Sequence, residues 1–193
     1  MITPTFQTIM LAAEEIVREK GCQHTTLQAI MERTGLSKGA IYHYVKSKDE
    51  LFGKILLQYM EETNRSFMDA VQHTQNYETY GPVEAIMTTN TKKDISNKIL
   101  IYLLSQQHNE KIRSILDDLH RNSVAFAVSW IKYGQENGAI PADLDAEAAA
   151  SMFVTFSYGL RVRQLIDPEP EQQHTASQEV MKLMIEALKP RDR

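Results

Sequence analysis

Between Thr25 and Leu51 the chain reads TTLQAIMERTGLSKGAIYHYVKSKDEL. The chemistry these residue types offer is contact with phosphate oxygens and base edges. Lys38 carries an ammonium able to reach a guanine edge or a phosphate. Tyr42, His43 and Tyr44 supply phenolic hydroxyls and an imidazole, which suit phosphate oxygens as donors. Thr25 and Thr26 stand where one short helix begins, and Lys48 where a longer one begins. At such positions free backbone N–H groups and the positive helix end favour an anion. Ser37 caps the helix between them, Gly39 and Ala40 are small enough for close approach, and Ile41 turns inward.

Two short helices across a glycine turn are what a helix-turn-helix needs to lay its second helix in the DNA major groove. A plain helical core accounts for the same residues. Tyr42 and Tyr44 are then half-buried packing groups, and Lys46 and Lys48 a solvated face. Spacing alone leaves both readings open.

Other chemistries find little support. His24, His43, His73, His108, His120 and His174 show no i, i+4 pairing and no ligand-type spacing, so no metal is expected. The single Cys22 allows no internal disulfide and no CxxC pair. There is no glycine-rich phosphate loop, nucleophile elbow or carboxylate motif, so neither an enzyme nor a cofactor is expected. No apolar run approaches the ~20 residues of a membrane span, and no signal-peptide pattern opens the chain. The expectation is a cytoplasmic protein without a membrane partner.

The 193 residues carry a net charge of −4. From Arg18 to Lys48, however, six basic residues stand against two acidic ones, a local charge of +4. An acidic whole with a basic segment discourages docking on DNA by the wrong face.

The elements that must position these groups are helical from end to end, with no β-alternation beyond a few residues. The reading is an all-α chain of about nine helices. Thr3-Pro4 starts the first, and Gly21 stops it. Thr25 with Gln28 has capping-box spacing for the second. Gly35 suits a left-handed turn. A long amphipathic helix runs from Lys48 towards Val71. Further helices are expected from Pro82, from Asp94, over about 109–137, from Asp145 to about Ile166, and over about 175–188.

The motif segment resembles the TetR family of bacterial transcriptional regulators. The family pattern of Thr-Thr, Ile-Ala, Gly-Val-Ser, Leu-Tyr-x-His/Tyr-Phe and Lys-x-Lys-Glu-x-Leu finds Thr25-Thr26, Ile30, Gly35-Leu36-Ser37, Ile41-Tyr42-His43-Tyr44 and Lys46-Ser47-Lys48-Asp49-Glu50-Leu51. The order and intervals match. Met31, Thr34 and Val45 depart from it at inward-facing positions, which concerns packing rather than contact with DNA.

The resemblance implies a three-helix helix-turn-helix domain over 4–64 and an effector-binding and dimerisation domain over 65–193. It implies phosphate contacts from Thr26, Tyr42, Tyr44 and Lys48, and base contacts from Lys38, Gly39 and His43, with Gln28 beside them. The implied partners are a palindromic operator in double-stranded DNA, a second copy of the chain and an unknown small-molecule effector. For the effector pocket the candidates are Phe67, Met87, Tyr102, Gln106, Phe126, Trp130, Phe153 and Arg161. For the dimer they are Ala149, Met152, Phe156 and Gly159 on one helix, and Val180, Leu183, Met184 and Ala187 on the last. Plain core packing explains these apolar stripes as well. The expected function is a homodimeric repressor released by its effector. The alternative is a DNA-bound adaptor whose C-terminal domain holds a protein.

Overall fold

The computed structural model describes residues 3–73, 90–166 and 183, and the side chains of 3–69, 94–163, 165, 166 and 183. The described residues form seven helices and no strand. Two expected helices, from Pro82 and over 175–188, lie outside them apart from Leu183.

Helix α1 (Pro4–His24) starts where Thr3 accepts from Phe6 N, with proline in the first turn. Gly21 sits inside it with φ 78° and ψ 166°, a kink that only glycine adopts cheaply. The apolar stripe of α1 (Ile9, Met10, Ala13, Ile16 and Val17) is buried as its spacing requires.

Helix α2 (Leu27–Thr34) corrects the expected cap. Thr26, not Thr25, is the N-cap and accepts from Ala29 N at 3.0 Å. Gln28 does not reach back to close a capping box; its amide donates to Glu32 at 3.0 Å. Gly35 ends α2 in the left-handed region, φ 69°. Helix α3 (Lys38–Tyr44) is capped by Ser37, which accepts from Ala40 N at 3.2 Å. Ile41 and Val45, four apart, are buried beneath it.

Helix α4 (Lys48–His73), α5 (Asn90–Ser105), α6 (Glu110–Glu136) and α7 (Ala146–Ile166) complete the described elements. Asp145 opens α7, accepting from Glu147 N and Ala148 N at 3.0 and 3.1 Å. Packing groups the chain into two bodies. The first holds residues 1–60 and 91–119, so α1 to α3, the start of α4, nearly all of α5 and the start of α6 share it. Its core is led by Phe52, Ile9, Ile16, Ile30, Ile41, Leu51, Ile55, Ile95, Ile99 and Leu103. Gly53 permits close helix packing here, because a Cβ at that position would meet Ile115 Cγ2 at 2.6 Å.

The second body holds 61–90 and 120–193. Its core joins Ala127 and Ile131 of α6 to Ala146, Ala149, Ala150 and Val154 of α7.

Candidate nucleic-acid interface

The outer face of α3 presents Ser37, Lys38, Gly39 and His43 exposed, with Tyr42 and Tyr44 half-buried at its edges. Burying Ile41 and Val45 turns Gly39 and His43 outward, while Ser37 and Lys38 stand open at the start of the helix. Lys38 Nζ lies 5.6 Å from the centre of the Tyr42 ring, which shields part of that ring and leaves the ammonium in solvent. A Cβ added at Gly39 would meet only Ser37 Oγ, at 4.0 Å.

Tyr44 is held from a distance. Its ring stacks on Phe6 at 5.3 Å, and its hydroxyl accepts from Thr3 Oγ1 at 2.9 Å. Lys54 Nζ donates to the Tyr44 carbonyl and pairs with Glu50 at 3.0 Å. Glu50 also accepts from Lys46 N at 2.8 Å. Burial works to raise the Glu50 carboxyl, but the Lys46 N–H and Lys54 outweigh it and hold it below its ordinary 4.5. Thr3, Phe6 and Lys54 support the candidate interface through Tyr44, a role the sequence does not signal. Their link to Tyr44 spans up to 41 residues and has no local signal.

On α2, Thr26 and Gln28 are exposed. Thr25 is not: it has no accessible surface and its hydroxyl donates to the Gly21 carbonyl at 3.0 Å. Burial leaves Thr25 nothing to offer a phosphate, and its work is to bind the kink of α1. Arg33 is engaged too, meeting Glu19 at 2.7 Å and Glu15 at 3.2 Å; Glu19 is already counted in the local +4, and Glu15, just outside the segment, offsets it further. Hydrogen bonds to Glu19 and Glu15 raise the guanidinium's hold on its proton. The three departures are accommodated. Val45 is buried, Met31 half-buried, and the Thr34 hydroxyl donates to Ile30 O at 2.8 Å.

Lys48 is half-buried, and its ammonium donates to the carbonyls of Cys22 (3.0 Å) and Gln23 (3.1 Å). It also lies 4.9 Å from the centre of the Tyr102 ring. Tyr102 donates to Asp49 Oδ1 at 3.1 Å; burial first, then the Asp49 charge and hydrogen bond, push its phenol up to about 12.

The pocket candidates divide between the bodies. Tyr102 and Gln106 belong to the first. In the second, Phe67 stacks on Trp130 at 4.3 Å, and Trp130 Nε1 donates to Asn64 Oδ1 at 2.7 Å. Phe126 and Phe153 are half-buried, Phe153 against the α6–α7 core. The Arg161 guanidinium, half-buried, is pushed down by desolvation while Tyr158 works the other way. Met87 lies outside the described residues.

Of the dimer candidates, Ala149 is core of its own chain. Met152 (66% exposed) and Leu183 (67%) are open, Gly159 is exposed and Phe156 half-exposed. Val180, Met184 and Ala187 lie outside the described residues. Among the described residues no cluster of three metal-type side chains occurs, and no helix is long and apolar enough to cross a membrane.

The first body carries a helix-turn-helix of the kind found in DNA-binding transcription regulators. Residues 9–55 match the bacterial regulatory proteins of the tetR family. The HTH-type transcriptional regulator UidR of Escherichia coli strain K12 is 24% identical over 160 residues, covering 81% of this chain and 80% of UidR. The HTH-type transcriptional repressor KstR2 of Rhodococcus jostii is 24% identical over 142 residues, covering 71% and 68%. The fold matches that of SmeT in its triclosan complex, with TM-score 0.66, 19% identity and coverage of 97% and 93%. The similarity to the tetR family is thus carried at motif level by residues 9–55, with relatives of 24% identity over most of the chain.

Proposed function

We propose that the protein is a homodimeric repressor that binds a palindromic operator through α3 and releases it when a small effector occupies the second body. Gly39 is the observation that carries the DNA contact. A glycine inside a helix costs about 1 kcal/mol relative to alanine. Here the chain has room for a side chain and leaves it out. Close approach of something outside the chain explains that choice, and the groove floor is what the flanking Lys38 and His43 suit. Thr26, Tyr42 and Tyr44 then bind phosphates on either side, with Ser37 and Gln28 at the rim. Tyr44 accepts from Thr3, which leaves its own proton for a phosphate oxygen.

Residues 4–64 are assigned to DNA and 65–193 to effector and dimer. Support for the dimer comes from α7, where Met152, Phe156, Gly159, Val162 and Ile166 follow one another at three- and four-residue steps. Val162 is 45% and Ile166 78% exposed, on the side of α7 turned away from Ala150 and Val154. An apolar helix face of this kind is what a second copy covers, and a palindrome requires two copies. For the effector site, Phe67, Phe126, Trp130, Phe153 and Arg161 supply aromatic surface with one cation. Triclosan bound to SmeT supports a small-molecule ligand, and the repressor KstR2 supports the sign of regulation. Acting on chromosomal DNA, the protein works in the cytoplasm.

The test is a gel-shift titration of the purified protein against DNA from upstream of its own reading frame. Salt-sensitive, sequence-specific retardation supports the reading; its absence for every palindrome there refutes it.

A further inference from the structure

The first turn of α4 is tied in two directions within the first body. Backwards, Lys48 Nζ donates to the carbonyls of Cys22 and Gln23 at 3.0 and 3.1 Å. These carbonyls follow the Gly21 kink, where the regular helix of α1 has been interrupted. Sideways, the same ammonium faces the Tyr102 ring at 4.9 Å, and Asp49 accepts from the Tyr102 hydroxyl at 3.1 Å. Phe52, one turn on, meets that ring edge-on at 5.5 Å. An ammonium has three N–H donors. Two are engaged by carbonyls, and the charge rests on a ring face.

The position of this knot gives it consequence. Cys22 and Gln23 lead directly into Thr26, the cap of α2, while Lys48 follows directly on the end of α3 at Tyr44. Holding 22–23 against 48 therefore fixes the entry and the exit of the helix-turn-helix at once. We infer that Tyr102 is a positioning residue of the DNA interface, acting through Lys48 and Asp49, and that Lys48 is a latch on the reading unit rather than a phosphate contact. This rests on the DNA-binding reading of α3. It reassigns Tyr102 from the effector pocket and Lys48 from the phosphate clamps.

Two measurements on the full-length protein test it, with a mixed-sequence B-form duplex as probe. In NMR of the free protein, the Lys48 ε-methylene protons should show an upfield ring-current shift. Tyr102→Phe should keep that shift and Tyr102→Leu should abolish it. Saturating duplex should leave it in place. In titrations at graded salt, Lys48→Met should leave the slope of log K against log salt unchanged. A phosphate contact would lower it by about 0.9 per protomer. Loss of the ring-current shift on adding duplex, or a slope reduced by that amount, overturns the proposal. Should Lys48→Met fail to fold, the NMR arm on the unsubstituted chain still decides. Failure to bind any duplex would instead strike the DNA-binding reading, while the shift in the free protein would still report the latch.

Discussion

If Gly39 lies on the groove floor as proposed, it sets stability against DNA contact at a single residue. Gly39→Ala should raise the melting temperature, since alanine is favoured in a helix by about 1 kcal/mol and the added methyl finds open space. The same change should weaken operator binding by pushing α3 off the groove floor. Calorimetry with fluorescence anisotropy reads both, and a variant improved in both would remove Gly39 from the interface. Thr26→Ala should cost about 1 kcal/mol of stability through the lost cap to Ala29 N. At this scale the sequence was readable where one anchor fixes a register. Once Ile41 points inward, Gly39 and His43, two residues to either side, must point outward. It was not readable where two like residues adjoin. Thr25 and Thr26 have the same side chain, and only the Gly21 kink decides that one is buried and the other caps.

At the level of elements, the contact of α4 with α6 depends on Gly53. Gly53→Ala should destabilise the first body by about 1–3 kcal/mol, since Ile115 Cγ2 is attached to a branched, stiff side chain and has little freedom to retreat. In an Ile115→Ala background the same substitution should be neutral or favourable, as urea midpoints of the four proteins would show. The α3–α4 junction should respond to acid. Glu50 has a folded pKa below its ordinary 4.5, so its contribution is complete above that value. It fades as pH falls through the lower folded value. Glu50→Gln should flatten stability against pH in that range, and an unchanged slope would discount the junction. Helix starts were legible from Thr3-Pro4, Ser37 and Asp145 because caps are local chemistry. The membership of α5 was not, because Tyr102 and Asp49 are 53 residues apart and neither residue signals the other.

For the whole molecule, an acidic chain of net charge −4 carries its basic excess on the segment proposed to read DNA. In the proposed reading the apolar face of α7 is covered by a second copy of the chain. Ile166→Asp should yield monomers in sedimentation velocity and lower operator affinity, with the helicity of the chain retained. A dimer that survives Met152→Asp and Ile166→Asp together would place the interface elsewhere. The sequence groups Ala149 with Met152, Phe156 and Gly159 as dimer candidates, yet Ala149 is core of its own chain, since a small residue at the edge of a stripe fits either side. The most direct measurement of the central claim is anisotropy of labelled upstream DNA titrated with the wild-type protein and with a Lys38→Ala/Tyr42→Phe variant at several salt concentrations. Specific, salt-dependent binding by the wild type and weaker binding with a shallower salt slope by the variant are expected. Equal affinity and equal slope for the two proteins would contradict the claim.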